Sequence, residues 1–263
     1  MNNSTAIVIL SFDGYSDLWD TCISLIDKYW CDNKYPVYLV TNNACPEYEK
    51  VTVINVGDEV SWSRRARDAM AEVKEDYIIL LLEDYFIGKK VDSQHIEKLL
   101  DYTKSQDLDY LRIVPVPITK YKNPSENGIH SMREDRPYGV NLQAAIWRKG
   151  FFINTLADGD FSAWEFEKRQ KIDSPDRVNG NFAVLDYYAI EILNGVIQGK
   201  WYLNTLKYFE KRGIKIEQGK RDIMGRKDIV VMESRKFLLR VVPVKVQRQL
   251  KPFLKKLGFK FVT

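Results

Sequence analysis

The sequence predicts an α/β fold, a mostly parallel sheet flanked by helices on both faces. Three observations lead there. The run Tyr77–Leu82 is unbroken apolar sequence of strand length, the pattern of a strand buried on both faces. Strand-like and helix-like segments alternate through the first 115 or so residues, the rhythm of a parallel sheet. The chain, at 263 residues, is long enough for one large α/β domain with an appendage.

The elements follow in order. Ala6–Leu10 is a short apolar strand, and Ser11-Phe12-Asp13-Gly14-Tyr15-Ser16 behind it leads into an amphipathic helix over 17–29, with Ser16 as its expected N-cap. Val37–Thr41 and 51–56 are the next strands, each closed by turn residues, Asn42-Asn43 and Gly57-Asp58. A helix from Trp62 to about Lys74 precedes the central strand, and another near Asp92 to Ser105 precedes a fifth strand, 110–114. The second half is less regular. Residues 118–137 read as one long polar loop holding His130, Arg133 and Arg136, of the kind that is functional or mobile. Then come a strand over 140–147, a helix at 149–156, a short helix opening at Gly159–Glu167, a strand within 184–193, a turn at 195–200, and a helix over 201–212. Two divisions follow: a domain over 1–215, with halves at about 1–115 and 116–215, and a basic extension over 216–263.

Composition excludes several classes. The hydrophobic fraction of 45% and charged fraction of 29% are those of a globular chain, and no apolar stretch approaches bilayer length. Met1-Asn2-Asn3-Ser4-Thr5 lacks the basic residues of a signal peptide. Cys22, Cys31 and Cys45 have no metal-ligand spacing, and their odd number argues against a disulfide framework, so a cytoplasmic protein is expected. Two histidines with no ordered Ser or Cys partner make a triad hydrolase a poor fit, and neither common Gly-rich phosphate loop is present. The net charge of +4 is uneven. Residues 234–263 hold nine basic side chains and no acidic one, which leaves 31 basic against 36 acidic in the rest.

The chemistry concentrates at Glu83-Asp84, adjacent carboxylates at the C-terminal end of the central strand, where open α/β sheets bind ligands. Two carboxylates there call for a metal or a polyhydroxyl ligand; a helix N-cap or a solvated turn is the plain structural alternative. Arg64, Arg65 and Arg67 begin the helix at Trp62, and helical spacing keeps all three from facing one ligand. Trp164-Glu165-Phe166-Glu167 sets carboxylates beside aromatic rings, an environment that can make a carboxylate a better base; acidic residues favoured by a helix N-terminus are the alternative.

An ordered set of segments carries a family resemblance: Ser11-Phe12-Asp13-Gly14-Tyr15-Ser16-Asp17-Leu18-Trp19, Tyr35-Pro36-Val37-Tyr38-Leu39-Val40-Thr41-Asn42, Ser61-Trp62-Ser63-Arg64-Arg65, Leu81-Leu82-Glu83-Asp84-Tyr85-Phe86, Gln143-Ala144-Ala145-Ile146-Trp147-Arg148, Trp164-Glu165-Phe166-Glu167 and Gly199-Lys200-Trp201. Over roughly residues 5 to 215 the chain resembles the nucleotide-diphospho-sugar transferase (GT-A) fold, and more closely the bacterial glycosyltransferases of surface-polysaccharide gene clusters. The resemblance implies a nucleotide-sugar donor held by Asp13, Tyr15, Arg65, Glu83 and Asp84. Glu83-Asp84-Tyr85 stands where such proteins carry Asp-x-Asp, so Asp84 would bind Mn²⁺ or Mg²⁺, although Tyr85 replaces the usual last ligand. Arg65 and Lys200 are the alternative means of neutralising the diphosphate. Trp164 would stack on an acceptor sugar, and Glu165, with Asp160 and Glu167 behind it, would deprotonate the acceptor hydroxyl in an inverting transfer.

The tail adds an expectation about location. Val246, Leu250, Phe253, Leu254 and Leu257 share one side of a helical projection among lysines and arginines, kinked at Pro252, with Phe259 and Phe261 beyond. Such a segment suits the anionic inner face of a plasma membrane and a lipid-linked saccharide acceptor; an ordinary packed helix is the alternative. The acidic remainder and the lack of a binding module speak against nucleic acid. The reading is therefore a glycosyltransferase, set against a non-catalytic scaffold of the same fold in a membrane-bound assembly complex and a nucleotidyltransferase, for which Ser11–Ser16 is a poor loop.

Overall fold

The computed structural model describes residues 4–57, 61–116, 125, 127–132, 140–156, 159–170, 174–175, 177–225, 228–230, 232 and 234. The central sheet is built from β1 (Thr5–Leu10), β2 (Val37–Thr41), β3 (Val51–Asn55), β4 (Tyr77–Leu81), β6 (Tyr110–Arg112), β7 (Ile129–Ser131), β8 (Ala145–Arg148) and β9 (Phe182–Leu185), with β5 (Tyr85–Ile87) set apart from it. Its spatial order is β3-β2-β1-β4-β8-β6-β9-β7. The first four are mutually parallel; β8 runs antiparallel between β4 and β6, β9 is parallel to β6, and β7 closes the edge antiparallel. Six of the eight strands thus run one way. This is the expected α/β architecture, a mostly parallel sheet flanked by helices.

The two-residue period of the strands divides the core between two faces. Ile7, Ile9, Ile79 and Leu81 point to one face, under α1 (Trp19–Tyr29), α3 (Ser93–Ser105) and α6 (Leu203–Glu210). Ala6, Val8, Leu10, Ile78 and Leu80 point to the other, under α2 (Trp62–Glu72), α4 (Lys149–Leu156) and α5 (Ala163–Arg169). Burial on both sides is why β1 and β4 contain no solvent-facing polar alternation. The inserted strand β8 is pinned by Trp147, whose ring lies 4.5 Å from Tyr110 and 4.9 Å from Phe152.

Several local expectations change. Asp13–Leu18 forms a 3-10 turn before α1, and no side chain caps that helix, so Ser16 is not its N-cap. Ser61 and Asp92 do cap α2 and α3, accepting the backbone N–H of Arg64 and of His95. The strand expected over 140–147 is confined to β8. The loop expected over 118–137 contains β7; most of its remainder, including Arg133 and Arg136, lies outside the described residues. The apolar run at 184–193 splits at Asp186 into β9 and β10 (Ile192–Asn194), and β10 pairs with β5. Residues 195–201 form a hairpin of β11 (Val196–Ile197) and β12 (Lys200–Trp201), turned at Gln198 and Gly199, both at positive φ as a two-residue hairpin turn requires. Trp201 is therefore a strand residue, and the helix starts at Leu203.

Packing continues past position 215. Ile216 is part of the core, Trp201 bridges Ile223, and Met224 is buried. The domain runs on at least to Met224. The basic amphipathic tail over 235–263 lies outside the described residues.

Candidate active site

Because β1 and β4 are parallel neighbours, the loops leaving their C-terminal ends lie side by side at the carboxyl edge. The turn after β4 is closed by Tyr85 N–H donating to the Leu82 carbonyl, 3.0 Å, and the Asp84 carbonyl accepts from Gly195 N–H at 2.7 Å. Glu83 is 7% exposed. Burial, with the neighbouring Asp84 charge, pushes its carboxyl up to about 8 against the pull of the Ser11 hydroxyl and Arg65. Asp84 keeps partial surface exposure, yet the protein around it desolvates the carboxyl enough to raise it to about 7, with Arg221 pulling the other way. Ser11 is held by Trp19, whose indole N–H donates to its Oγ at 2.8 Å.

Of the three arginines at the start of α2, Arg65 turns inward. It is 8% exposed, its guanidinium lies 5.2 Å from the centre of the Phe12 ring, and Glu83 and Asp13 are its charged neighbours. Burial lowers its pKa, although a guanidinium remains charged. Its Nε is buried and has no hydrogen-bond partner among the described residues. Arg64 turns outward and pairs with Asp68 at 3.8 Å.

Asp13 does something different from what its expected role requires. Its Oδ1 accepts the Asn42 N–H at 2.8 Å, and its Oδ2 accepts those of Asn43 and Ala44 at 3.0 and 2.9 Å. Burial alone would raise its pKa, but these three bonds and Arg65 hold it below the ordinary value. Asp13 thus ties the loop after β2 to the loop after β1, and its oxygens are spent on the backbone. Tyr15 is half-buried, with the Arg221 guanidinium 4.2 Å from its ring centre and Phe12 tilted against it at 5.0 Å.

Arg221 escaped the sequence reading because no motif surrounds it. Its Nε and Nη2 form a fork on Asp17 at 2.6 and 2.8 Å, and Nη2 also donates to the Gly14 carbonyl at 3.0 Å. Lys200, the cation expected here, lies 3.7 Å from Asp228.

For a divalent cation the donor set is two carboxylates. The Tyr85 hydroxyl turns away and donates to the Leu142 carbonyl at 3.2 Å. No group of three or more His, Cys, Asp or Glu side chains converges among the described residues. A buried and a half-exposed carboxylate side by side are a donor set for a hard cation only with its other ligands drawn from water and phosphate oxygens.

On α5, Trp164 is 61% exposed, an open ring. Glu165 is not the desolvated carboxylate expected. It is exposed, and its Oε2 accepts from the Ser162 N–H and hydroxyl at 2.7 and 2.8 Å in a capping box. Those bonds hold its pKa below the ordinary value. Glu167 points inward, accepting the Leu142 N–H at 3.3 Å, and Asp160 accepts from Ser61 Oγ at 2.8 Å, joining α5 to α2. His130 is tied to Asp186 at 2.9 Å and is 9% exposed, so it is a packed residue. A separate cavity of about 450 Å³, lined by Trp30, Tyr35 and Lys50 among others, opens at the opposite edge, where β2 and β3 begin; it contains none of the residues above.

No protein-family model and no curated protein matches the sequence. Among solved structures, the chain is similar to residues 1–349 of TarS from S. aureus in complex with UDP-GlcNAc, at 11% identity and a TM-score of 0.49, over 79% of this chain and 64% of that one. It is also similar to HddC from Yersinia pseudotuberculosis, at 13% identity and a TM-score of 0.49, over 80% of this chain and 99% of that one. The match to the longer TarS structure covers 36% of that chain, with 71% of this chain, 11% identity and a TM-score of 0.45. At these identities and scores the site is read from its own residues.

Proposed function

We propose that the protein is a glycosyltransferase that moves a sugar from a nucleotide-sugar donor to a hydroxyl of a saccharide acceptor. The observation that carries this reading is the carboxyl-edge cluster of the buried Glu83 and the half-buried Asp84 beside the inward arginine Arg65. The arginine suits a diphosphate and the carboxylates suit sugar or ribose hydroxyls or a cation. Asp84, with Glu83, would hold Mg²⁺ or Mn²⁺, which when bound supplies positive charge to the leaving diphosphate.

In this reading Arg65 binds the donor and Asp13 sets the shape of the loop that receives its base. Trp164 offers a stacking face to the acceptor. Glu165, one residue on, takes the proton from the acceptor hydroxyl. A saccharide lying over Trp164 would strip water from Glu165 and raise its pKa from the depressed value of the free protein. The acceptor is a lipid-linked saccharide of surface-polysaccharide synthesis, a reading that rests on the sequence of the basic tail and places the protein at the inner face of the plasma membrane. No helix among the described residues is long and apolar enough to cross a membrane.

The capping of Glu165 in the free protein favours a second reading, a non-catalytic scaffold of the same fold. Thermal melts against UDP, GDP, CMP and dTDP, each with and without Mn²⁺ or Mg²⁺, test both. A nucleotide at about 100 times its Kd stabilises by about 2.7 kcal/mol. A shift with one nucleotide, followed by turnover that Glu165→Gln abolishes, is the expected result. Binding without turnover selects the scaffold, and no shift with any nucleotide overturns the nucleotide reading.

A further inference from the structure

Arg221 reaches the site from a segment outside every motif, and the chain invests several contacts in keeping it there. Trp201, fully buried, packs 6.1 Å from Phe86, two residues beyond Asp84. The same residue holds the segment that carries Arg221: Trp201 N–H donates to the Asp222 carbonyl at 2.9 Å, Met224 N–H donates to the Trp201 carbonyl at 2.9 Å, and the Trp201 indole donates to the Gln218 carbonyl at 2.6 Å. Gly195, in the strand connection that precedes Trp201, binds the Asp84 carbonyl, and a Cβ there would meet the Phe86 ring at 2.5 Å. One packed unit therefore joins the Glu83–Asp84 turn to the 214–224 strap.

At the tip of the strap the guanidinium is fixed before any ligand arrives. Asp17 takes it in a two-point fork, Gly14 adds a third bond, and the Tyr15 ring supports it. Nε and both Nη2 hydrogens are committed in this way, and the Tyr15 side chain is a further hydrogen-bond partner of the guanidinium.

We propose that Arg221 is a ligand-binding cation of this site and that it receives anionic oxygens of a nucleoside diphosphate beside Asp84, as Arg65 does beside Glu83. The proposal rests on the nucleotide reading and assigns to Arg221 the part expected of Lys200. A fork already made to Asp17 spares the ordering cost that a free arginine would incur on binding.

The test compares a nucleoside diphosphate with its own nucleoside in EDTA by calorimetry, using whichever of UDP, GDP or dTDP the wild type binds. Arg221→Met should weaken the diphosphate by roughly ten- to a hundredfold, the size of a charge-assisted contact, and leave the nucleoside within about threefold. Arg221→Lys should recover part of the loss. Equal loss for diphosphate and nucleoside, or no loss, overturns the proposal and leaves the nucleotide reading standing. A wild type that binds none of the three, nor inorganic pyrophosphate, with or without Mg²⁺ or Mn²⁺ overturns the proposal, and one that binds no CMP either overturns the nucleotide reading as well. If Arg221→Met does not fold, Asp17→Asn carries the test, since it keeps the cation and loosens its anchor. The ratio of diphosphate to nucleoside affinity should then fall, and an unchanged ratio refutes the role.

Discussion

Replacing the buried Glu83 by glutamine removes one charge from the acid pair while preserving its shape. In the free protein the Glu83 carboxyl is raised from 4.5 to about 8, and that of Asp84 from 3.8 to about 7. An acid with a raised pKa in the folded state contributes stability in full below its unfolded pKa and loses it as pH climbs through the folded one. The window for Glu83 is pH 4.5 to about 8. At about 1.4 kcal/mol per pKa unit, the ceiling on what Glu83 gives up across that window is ~5 kcal/mol. The two acids titrate as a pair and share the penalty, so ~2–3 kcal/mol is the expected effect of the single substitution. For a chain of this length that is a difference of about 5–10 °C in Tm. Melts of wild type and Glu83→Gln should coincide near pH 5 and separate toward pH 8.5, with the variant the more stable. Parallel curves over that range would refute the claim that Glu83 ionises at a cost in the folded protein.

Two further substitutions address residues whose roles the structure redefines. Tyr85→Phe removes the hydroxyl bond to the Leu142 carbonyl and should cost ~1 kcal/mol in urea unfolding, while the effect of Mg²⁺ or Mn²⁺ on nucleotide affinity stays as in the wild type; loss of that metal effect would make the hydroxyl a ligand. Asp13→Asn weakens the three backbone bonds at the loop junction and should cost ~1–3 kcal/mol at pH 7. Because the Asp13 pKa is lowered from 3.8, its contribution is present above that value and lost as pH falls through the depressed one, so the variant should also show a shallower acid limb below pH 4.

The first half of the fold was legible because its strands are buried on both faces and read as plain apolar runs, Ala6–Leu10 and Tyr77–Leu81. The second half was not. Its strands are two to four residues long, too short for a period to register, and β7 sits in polar sequence that resembles a loop. In the site, Glu83, Asp84 and Arg65 were legible from their place at strand and helix ends. The state of Glu165 was misjudged because an acidic residue at the third position of a helix reads equally as a cap or as a base, and only the bond to Ser162 separates the two. Arg221 was invisible for a different reason: its partner Asp17 lies 204 positions away, and no local pattern encodes such a pairing.

That separation has a consequence for how the protein comes into being. The carboxylates and Arg65 belong to the first 84 residues, but Trp201 and Arg221, which hold the Asp84 turn and the Tyr15 loop in place, follow far behind. At about 5–20 residues per second of synthesis, the interval between Asp17 and Arg221 leaving the ribosome is roughly 10–40 s. During that time the emerging chain carries an acidic turn without the clasp that Trp201 and Arg221 supply.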